Sequence, residues 1–282
     1  MQPKLAIVAG GGSLPLALAE ACRNCERPYF LLGLEGFAEA SRLKGHPHRW
    51  ARISAVGRVI ATLREEAADE VVFAGHVRRP SLASLRPDLY TVRLLARIGA
   101  GALGDDGLMR HIASAFEAEG FRVVEVSSIL ADTLVPPGPL GRLAPDGTAL
   151  EDIRRGLEVA EALGRADAGQ AVVVQQGIVL AIEAAEGTDR MVARAAHLRR
   201  AGPGGVLVKM AKPQQDRRMD LPVIGPDTVE AAAAAGLRGI AVEVGGVLLL
   251  DRNAAIRRAD DKGLFITGTE PVSCRDQARI CP

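Results

Sequence analysis

The chain has 282 residues, 48% of them hydrophobic, enough for one large domain or two of ordinary size around a substantial core. Its 35 Lys and Arg balance 34 Asp and Glu to a net charge of +1, which supplies no bulk field for nucleic acid, and 3% aromatics provide no stacking platforms for single strands. Small-molecule chemistry with a local anion site remains.

The N-terminus runs through Lys4 into a short apolar stretch without a signal-peptide core or cleavage site, so a cytoplasmic location is expected. No apolar run approaches the roughly 20 residues that span a bilayer, so any membrane attachment is peripheral. Cys22 and Cys25 share a helix face, but Cys274 and Cys281 lack the second close pair of a zinc site.

In chain order, residues 5–9 read as a strand, 14–21 as a helix and 29–34 as a strand. A helix over 58–67, a strand over 71–74, helices over 89–98 and 108–119 and a strand over 122–126 follow, the βαβ alternation of a parallel sheet. Val135-Pro136-Pro137-Gly138-Pro139-Leu140-Gly141 breaks regular structure and divides the chain into domains 1–134 and 135–270. In the second, helices over 150–163, 191–200, 229–235 and 254–262 alternate with strands over 171–175, 178–184, 205–209, 240–244, 247–250 and 264–267. The fold class is therefore α/β twice over, and residues 271–282 are expected to form a mobile or loosely docked tail.

Gly10-Gly11-Gly12-Ser13-Leu14-Pro15 joins the first strand to the first helix. Small residues there let backbone amides approach a phosphate at the helix N-terminus, or simply allow close strand-to-helix packing. Pro15 stands where a dinucleotide fingerprint requires glycine, which weakens a nicotinamide or flavin oxidoreductase. Gly75-His76-Val77-Arg78-Arg79-Pro80 leaves the strand at 71–74 where open α/β sheets bind ligands; the alternative is a solvated basic loop. Gly104-Asp105-Asp106-Gly107 precedes a helix, where its carboxylates either hold magnesium or cap amides.

Glu186-Gly187-Thr188-Asp189 puts two acids, a hydroxyl and a glycine into one turn, as magnesium ligands or as an N-cap. The segment from Lys209 to Pro222 gathers Lys209, Lys212, Gln215, Asp216, Arg217, Arg218 and Asp220 in a stretch too broken by proline for a long helix. Diphosphate cleavage needs such cations against phosphoryl oxygens and a carboxylate to hold metal or orient water, whereas a solvated charge run needs neither.

These segments together, with Lys212-Pro213 and Asp220-Leu221-Pro222, resemble the LpxI-type UDP-2,3-diacylglucosamine pyrophosphatases over about residues 4–270. The resemblance implies a Rossmann-like N-terminal domain, a distinct α/β C-terminal domain, and a lipid-linked UDP-sugar held between them. It implies Mg2+-assisted hydrolysis to UMP and 2,3-diacylglucosamine 1-phosphate, an intermediate of lipid A synthesis. Asp220 matches the aspartate that family needs for turnover, as metal ligand or water-positioning group, beside Lys209 and Lys212. Gly11, Gly12, Ser13, Gly75, His76, Arg79, Asp105, Gly187, Thr188 and Gln215 are the substrate-binding candidates; Asp220, Glu186, Asp189 and Asp216 are the metal candidates. His76 departs from the family's Asn.

Leu89, Val92, Leu95 and Ile98, flanked by Arg86, Arg93 and Arg97, form either an acyl-chain groove at the membrane surface or a core stripe, the second being the simpler expectation. The expected partners are thus the lipid substrate and transient contact with the inner leaflet, with a homo-oligomer compatible and no nucleic acid. A nucleotide-binding module without catalysis is the non-enzyme alternative.

Overall fold

The protein is described by a computed structural model covering residues 2–77, 86–98, 105–219 and 221–270, the side chains of Ile98, Asp105 and Asp106 excepted. It divides into two compact units: Met1–Asp132 with Asp216–Asp220, and Thr133–Gln215 with Leu221–Pro282.

Unit 1 carries a parallel sheet of β1 (Leu5–Ala9), β2 (Tyr29–Leu34), β3 (His48–Ala51), β4 (Glu70–Ala74) and β5 (Arg122–Val123), in the order β3-β2-β1-β4-β5. Every residue of central β1 is buried, as a strand covered on both faces requires. The connecting helices are α1 (Leu14–Asn24), α2 (Ala40–Leu43), α3 (Val56–Glu65), α4 (Leu89–Ile98) and α5 (Asp105–Ala118). Pro15 sits in the first turn of α1, where no helical donor is lost. The order of the strands changes direction between β1 and β4, so these two parallel strands end at the crevice where doubly wound sheets bind ligands.

In unit 1 the short helix α2 was not expected, nor was edge strand β3, whose Arg49 and Trp50 are exposed. The strand expected over 122–126 is shorter, turning into a 3-10 segment at Val126–Ser128. The segment 216–220, expected in the second domain, belongs to unit 1 because Met219, 3% exposed, packs with Val71, Phe116 and Val123 in that unit's core.

Unit 2 is built on a six-stranded sheet ordered β6-β13-β11-β9-β7-β8: β6 (Gly138–Pro139), β13 (Phe265–Thr269), β11 (Gly239–Glu243), β9 (Val206–Lys209), β7 (Ala171–Gln175) and β8 (Ile178–Ile182). Strands β9, β11 and β13 are parallel, β7 runs against β9 and β8, and β6 runs against β13. A small parallel pair joins β10 (Val223–Ile224) to β12 (Leu248–Leu249).

One face of this sheet is covered by α6 (Gly147–Arg165), which buries Ala149, Ile153, Leu157 and Ala160 at helical spacing against Val172, Val206, Val208 and Ala241. Asp146 caps α6 by accepting from Ala149 N at 2.8 Å. The other face packs α7 (Thr188–Ala196), α8 (Pro226–Ala234) and α9 (Arg252–Lys262) through Met191, Val192, Val229, Ala232, Ala255 and Ala259. This register brings the ends of β8, β9, β11 and β13 and the start of β7 to one edge.

Candidate functional site

In unit 1 the glycine turn after β1 meets the turn after β4. Gly11 N donates to His76 O at 2.9 Å and His76 N donates to Gly11 O at 3.0 Å. A methyl group on Gly11 would lie 2.7 Å from the His76 imidazole, and one on Gly75, whose φ is +87°, would lie 2.4 Å from Gly11 O. Glycine is thus obligatory at Gly75, where the neighbour is backbone, while a side chain at Gly11 would displace the imidazole. This packing accounts for Gly11 without a ligand, and it sets the imidazole over the Gly11-Gly12 backbone at the mouth of α1. Ser13 occupies the N-cap of α1 without a side-chain cap bond. Arg79 lies outside the described residues; Asp105 opens α5, and its side chain also lies outside them.

Asp216 belongs to this unit. Arg218 grips it with Nε to Oδ1 at 3.0 Å and Nη2 to Oδ2 at 2.8 Å, and also donates from Nη1 to Glu117 Oε1 on α5 at 2.8 Å. The Arg218 guanidinium holds the Asp216 carboxyl below the usual carboxylate range, more strongly than burial raises it, with a further contribution from Arg110. Both carboxylate oxygens are therefore committed to an arginine.

In unit 2 the edge formed by β8, β9 and β11 gathers charged groups. Lys209, the last residue of β9 and only 6% exposed, donates from Nζ to Thr188 Oγ1 and to Val223 O, each at 3.0 Å. Thr188 opens α7 and donates to Glu183 Oε1 at 2.7 Å; Gly187 before it has φ +83°. Glu183, 7% exposed, also accepts from Gln170 N at 3.3 Å. A buried ammonium demands such compensation. Glu243, at the end of β11, accepts from Ala211 N at 2.8 Å and so fixes the chain leaving β9.

Lys212 Nζ donates to Asp167 Oδ1 at 2.5 Å, and Lys212 N donates to Gln215 Oε1 at 3.1 Å. Glu186 instead pairs with Arg194 at 2.7 Å, and hydrogen bonds from its own backbone amide and from Arg194 lower its pKa. Asp189 is exposed in the first turn of α7.

The structure thus brings Lys209 and Thr188 together, with Lys212 and Gln215 on the same chain segment. Of the metal candidates, Glu186 and Asp216 are each tied to an arginine of their own unit, and among the described residues no three His, Cys, Asp or Glu side chains converge on a metal position. Asp220 lies outside the described residues. The described donor set does not make a resident magnesium cage. Cys22 and Cys25 are free thiols, Cys22 pushed up to about 11 by burial and then by Cys25.

Sequence reasoning missed Glu183, Glu243 and Asp167. For Glu183 the signal was a carboxylate closing the apolar run Ile178-Val179-Leu180-Ala181-Ile182, since an acid at a buried strand end needs a partner.

In α4, Tyr90 and Leu94 pack on the unit 1 core, while Leu89 and Val92 are 65% and 47% exposed. Core packing, the simpler expectation, therefore does not account for Leu89 and Val92; Leu95 is half-buried, and the side chain of Ile98 lies outside the described residues. Among the described residues no helix is long and apolar enough to cross a membrane.

Comparison with known proteins gives two family matches, an LpxI N-terminal domain over residues 4–133 and an LpxI C-terminal domain over residues 136–267. A UDP-2,3-diacylglucosamine pyrophosphatase LpxI of Caulobacter vibrioides is 42% identical over 275 residues, covering 95% of this chain and 98% of that protein. Among solved structures, a CobK precorrin-6A reductase aligns over 97% of this chain and 91% of its own at 11% identity and a TM-score of 0.33, too distant to bear on function. With both of its domains matched and near full-length identity to one of its members, the chain belongs to the LpxI family.

Proposed function

We propose that this protein hydrolyses the diphosphate of UDP-2,3-diacylglucosamine to UMP and 2,3-diacylglucosamine 1-phosphate. The observation that carries the reading is 42% identity spread over nearly the whole of both chains, so that both domains correspond and neither is borrowed. One water is consumed: its oxygen joins one phosphorus, the bond from that phosphorus to the bridging oxygen breaks, the departing phosphate keeps the bridging oxygen with the electron pair, and the protons of the water pass to solvent or to the product phosphates.

The charged edge of unit 2 supports this chemistry. Cleavage of an anhydride builds negative charge on phosphoryl oxygens, and fixed ammonium groups in a water-poor setting stabilise it. Lys209 is buried and held by hydrogen bonds, which gives it that preorganisation. Lys212 is the second cation.

Magnesium dependence is part of the proposal. Magnesium is commonly held by one or two carboxylates together with substrate phosphates, so an ion arriving with the diphosphate requires no cage of protein ligands. Asp220 is its candidate carboxylate, by family resemblance. The protein meets its lipid substrate by transient contact with the inner-leaflet surface.

The test is UMP release from UDP-2,3-diacylglucosamine by the purified protein and by Asp220→Ala, with magnesium and with a chelator. Turnover by the wild type alone, stopped by chelation, is expected. Absence of wild-type turnover refutes the hydrolase; an active Asp220→Ala refutes the role of that residue; activity in chelator refutes the metal requirement.

A further inference from the structure

The buried edge of unit 2 contains a hydrogen-bonded chain whose polarity is fixed by its two ends. Lys209 Nζ can only donate, and the Glu183 carboxylate can only accept. Thr188 Oγ1 stands between them, 3.0 Å from the ammonium and 2.7 Å from Glu183 Oε1. Its single proton is thereby directed at Glu183, and its lone pairs face Lys209.

Glu183 is itself immobilised. Its other oxygen accepts from Gln170 N at 3.3 Å, and its own amide donates to Ala171 O at 2.9 Å. With 7% exposure it has little water to compete for these bonds. The carboxylate therefore reaches across the turn after β8 to the first residue of α7 and, through it, to the end of β9.

We propose that Glu183 is a positioning residue, which orients the Thr188 hydroxyl and through it holds the Lys209 ammonium for the diphosphate. The inference rests on the reading of Lys209 as a phosphate-binding cation. Without the carboxylate, the hydroxyl rotor is released and donates elsewhere, and Lys209 loses both a fixed acceptor and the nearby negative charge that favours its burial. Glu183 touches no substrate; its effect passes through Thr188.

The experiment is a double-mutant cycle with Glu183→Gln, Thr188→Val and the double variant, reading kcat/KM for UDP-2,3-diacylglucosamine and calorimetric affinity for UDP. Glutamine keeps the shape but offers one acceptor oxygen to two donors. Each single variant is expected to lose about ten-fold in kcat/KM and to bind UDP more weakly, and the double variant to stay within about two-fold of Thr188→Val, since residues acting as one unit are not additive. If Glu183→Gln loses its fold by circular dichroism, Glu183→Asp, which retains the charge but is one methylene short, carries the same cycle. Losses that multiply, or a folded Glu183 variant with wild-type kcat/KM, overturn the proposal. A wild type that does not hydrolyse the substrate overturns the underlying reading instead, and this inference with it.

Discussion

Arg218 holds Asp216 in a two-pronged grip, Nε 3.0 Å from Oδ1 and Nη2 2.8 Å from Oδ2. The pair lowers the Asp216 pKa beneath its ordinary value of 3.8. A carboxylate depressed in the folded state contributes stability above its unfolded pKa and loses it as pH falls through the folded value. Arg218→Gln is therefore expected to cost about 0.5 to 1 kcal/mol near pH 7, the 39% exposure of Arg218 keeping the effect small. The difference from wild type should shrink as pH drops below 3.8, as followed by urea titration; a difference independent of pH would remove the ion pair as its cause.

Gly75→Ala is expected to destabilise by about 2 to 3 kcal/mol, combining a left-handed φ with a backbone collision at Gly11 O. Gly36→Ala is the control, with φ +80° but nothing within 4 Å of a new methyl, and should cost about 1 kcal/mol. Thermal unfolding of the two variants separates collision from backbone strain; equal losses would assign both to strain.

Lys212 and Asp167 are bonded, yet the two should respond differently to substitution. If the Lys212 ammonium faces phosphate, Lys212→Met lowers kcat/KM by at least about ten-fold, while Asp167→Asn, which retains that ammonium, loses about three-fold or less. Equal losses would reduce Lys212 to a tether for its loop.

The exposed pair Leu89 and Val92, beside Arg86 and Arg93, is expected to meet lipid. Replacing both with Glu should change stability by no more than about 0.5 kcal/mol. It should also abolish sedimentation with vesicles of anionic phospholipid and raise KM for the diacylated substrate. Unchanged sedimentation would leave α4 an ordinary surface helix.

Strands β1, β2 and β4 were legible because they are short, nearly continuous apolar runs, as strands covered on both faces require. Strand β3 was not, because its edge position leaves Arg49 and Trp50 in solvent and removes the apolar pattern. The helices of unit 2 were legible from their spacing, but α7 begins at Thr188 rather than near Met191, since its first turn is polar.

Lys209 and Thr188 stood out as chemistry-bearing types in short motifs. Glu183, which ties them together, did not, because a carboxylate five residues upstream acquires meaning only when a strand and a helix fold back on each other. The arginine partners of Glu186 and Asp216, two of the four metal candidates with Asp189 and Asp220, were not revealed by sequence spacing. Met219 was hidden in a run of charge, and its burial in unit 1 depends on residues roughly a hundred positions earlier.

That one methionine also sets the order of assembly. A ribosome releases the first 132 residues long before Met219 exists, so unit 1 emerges with the place that Met219 fills in its core unoccupied. An N-terminal fragment cut at the junction between the two family domains would carry the same defect permanently. The core of unit 1 is complete only after most of unit 2 has been synthesised, although a family alignment separates the two domains.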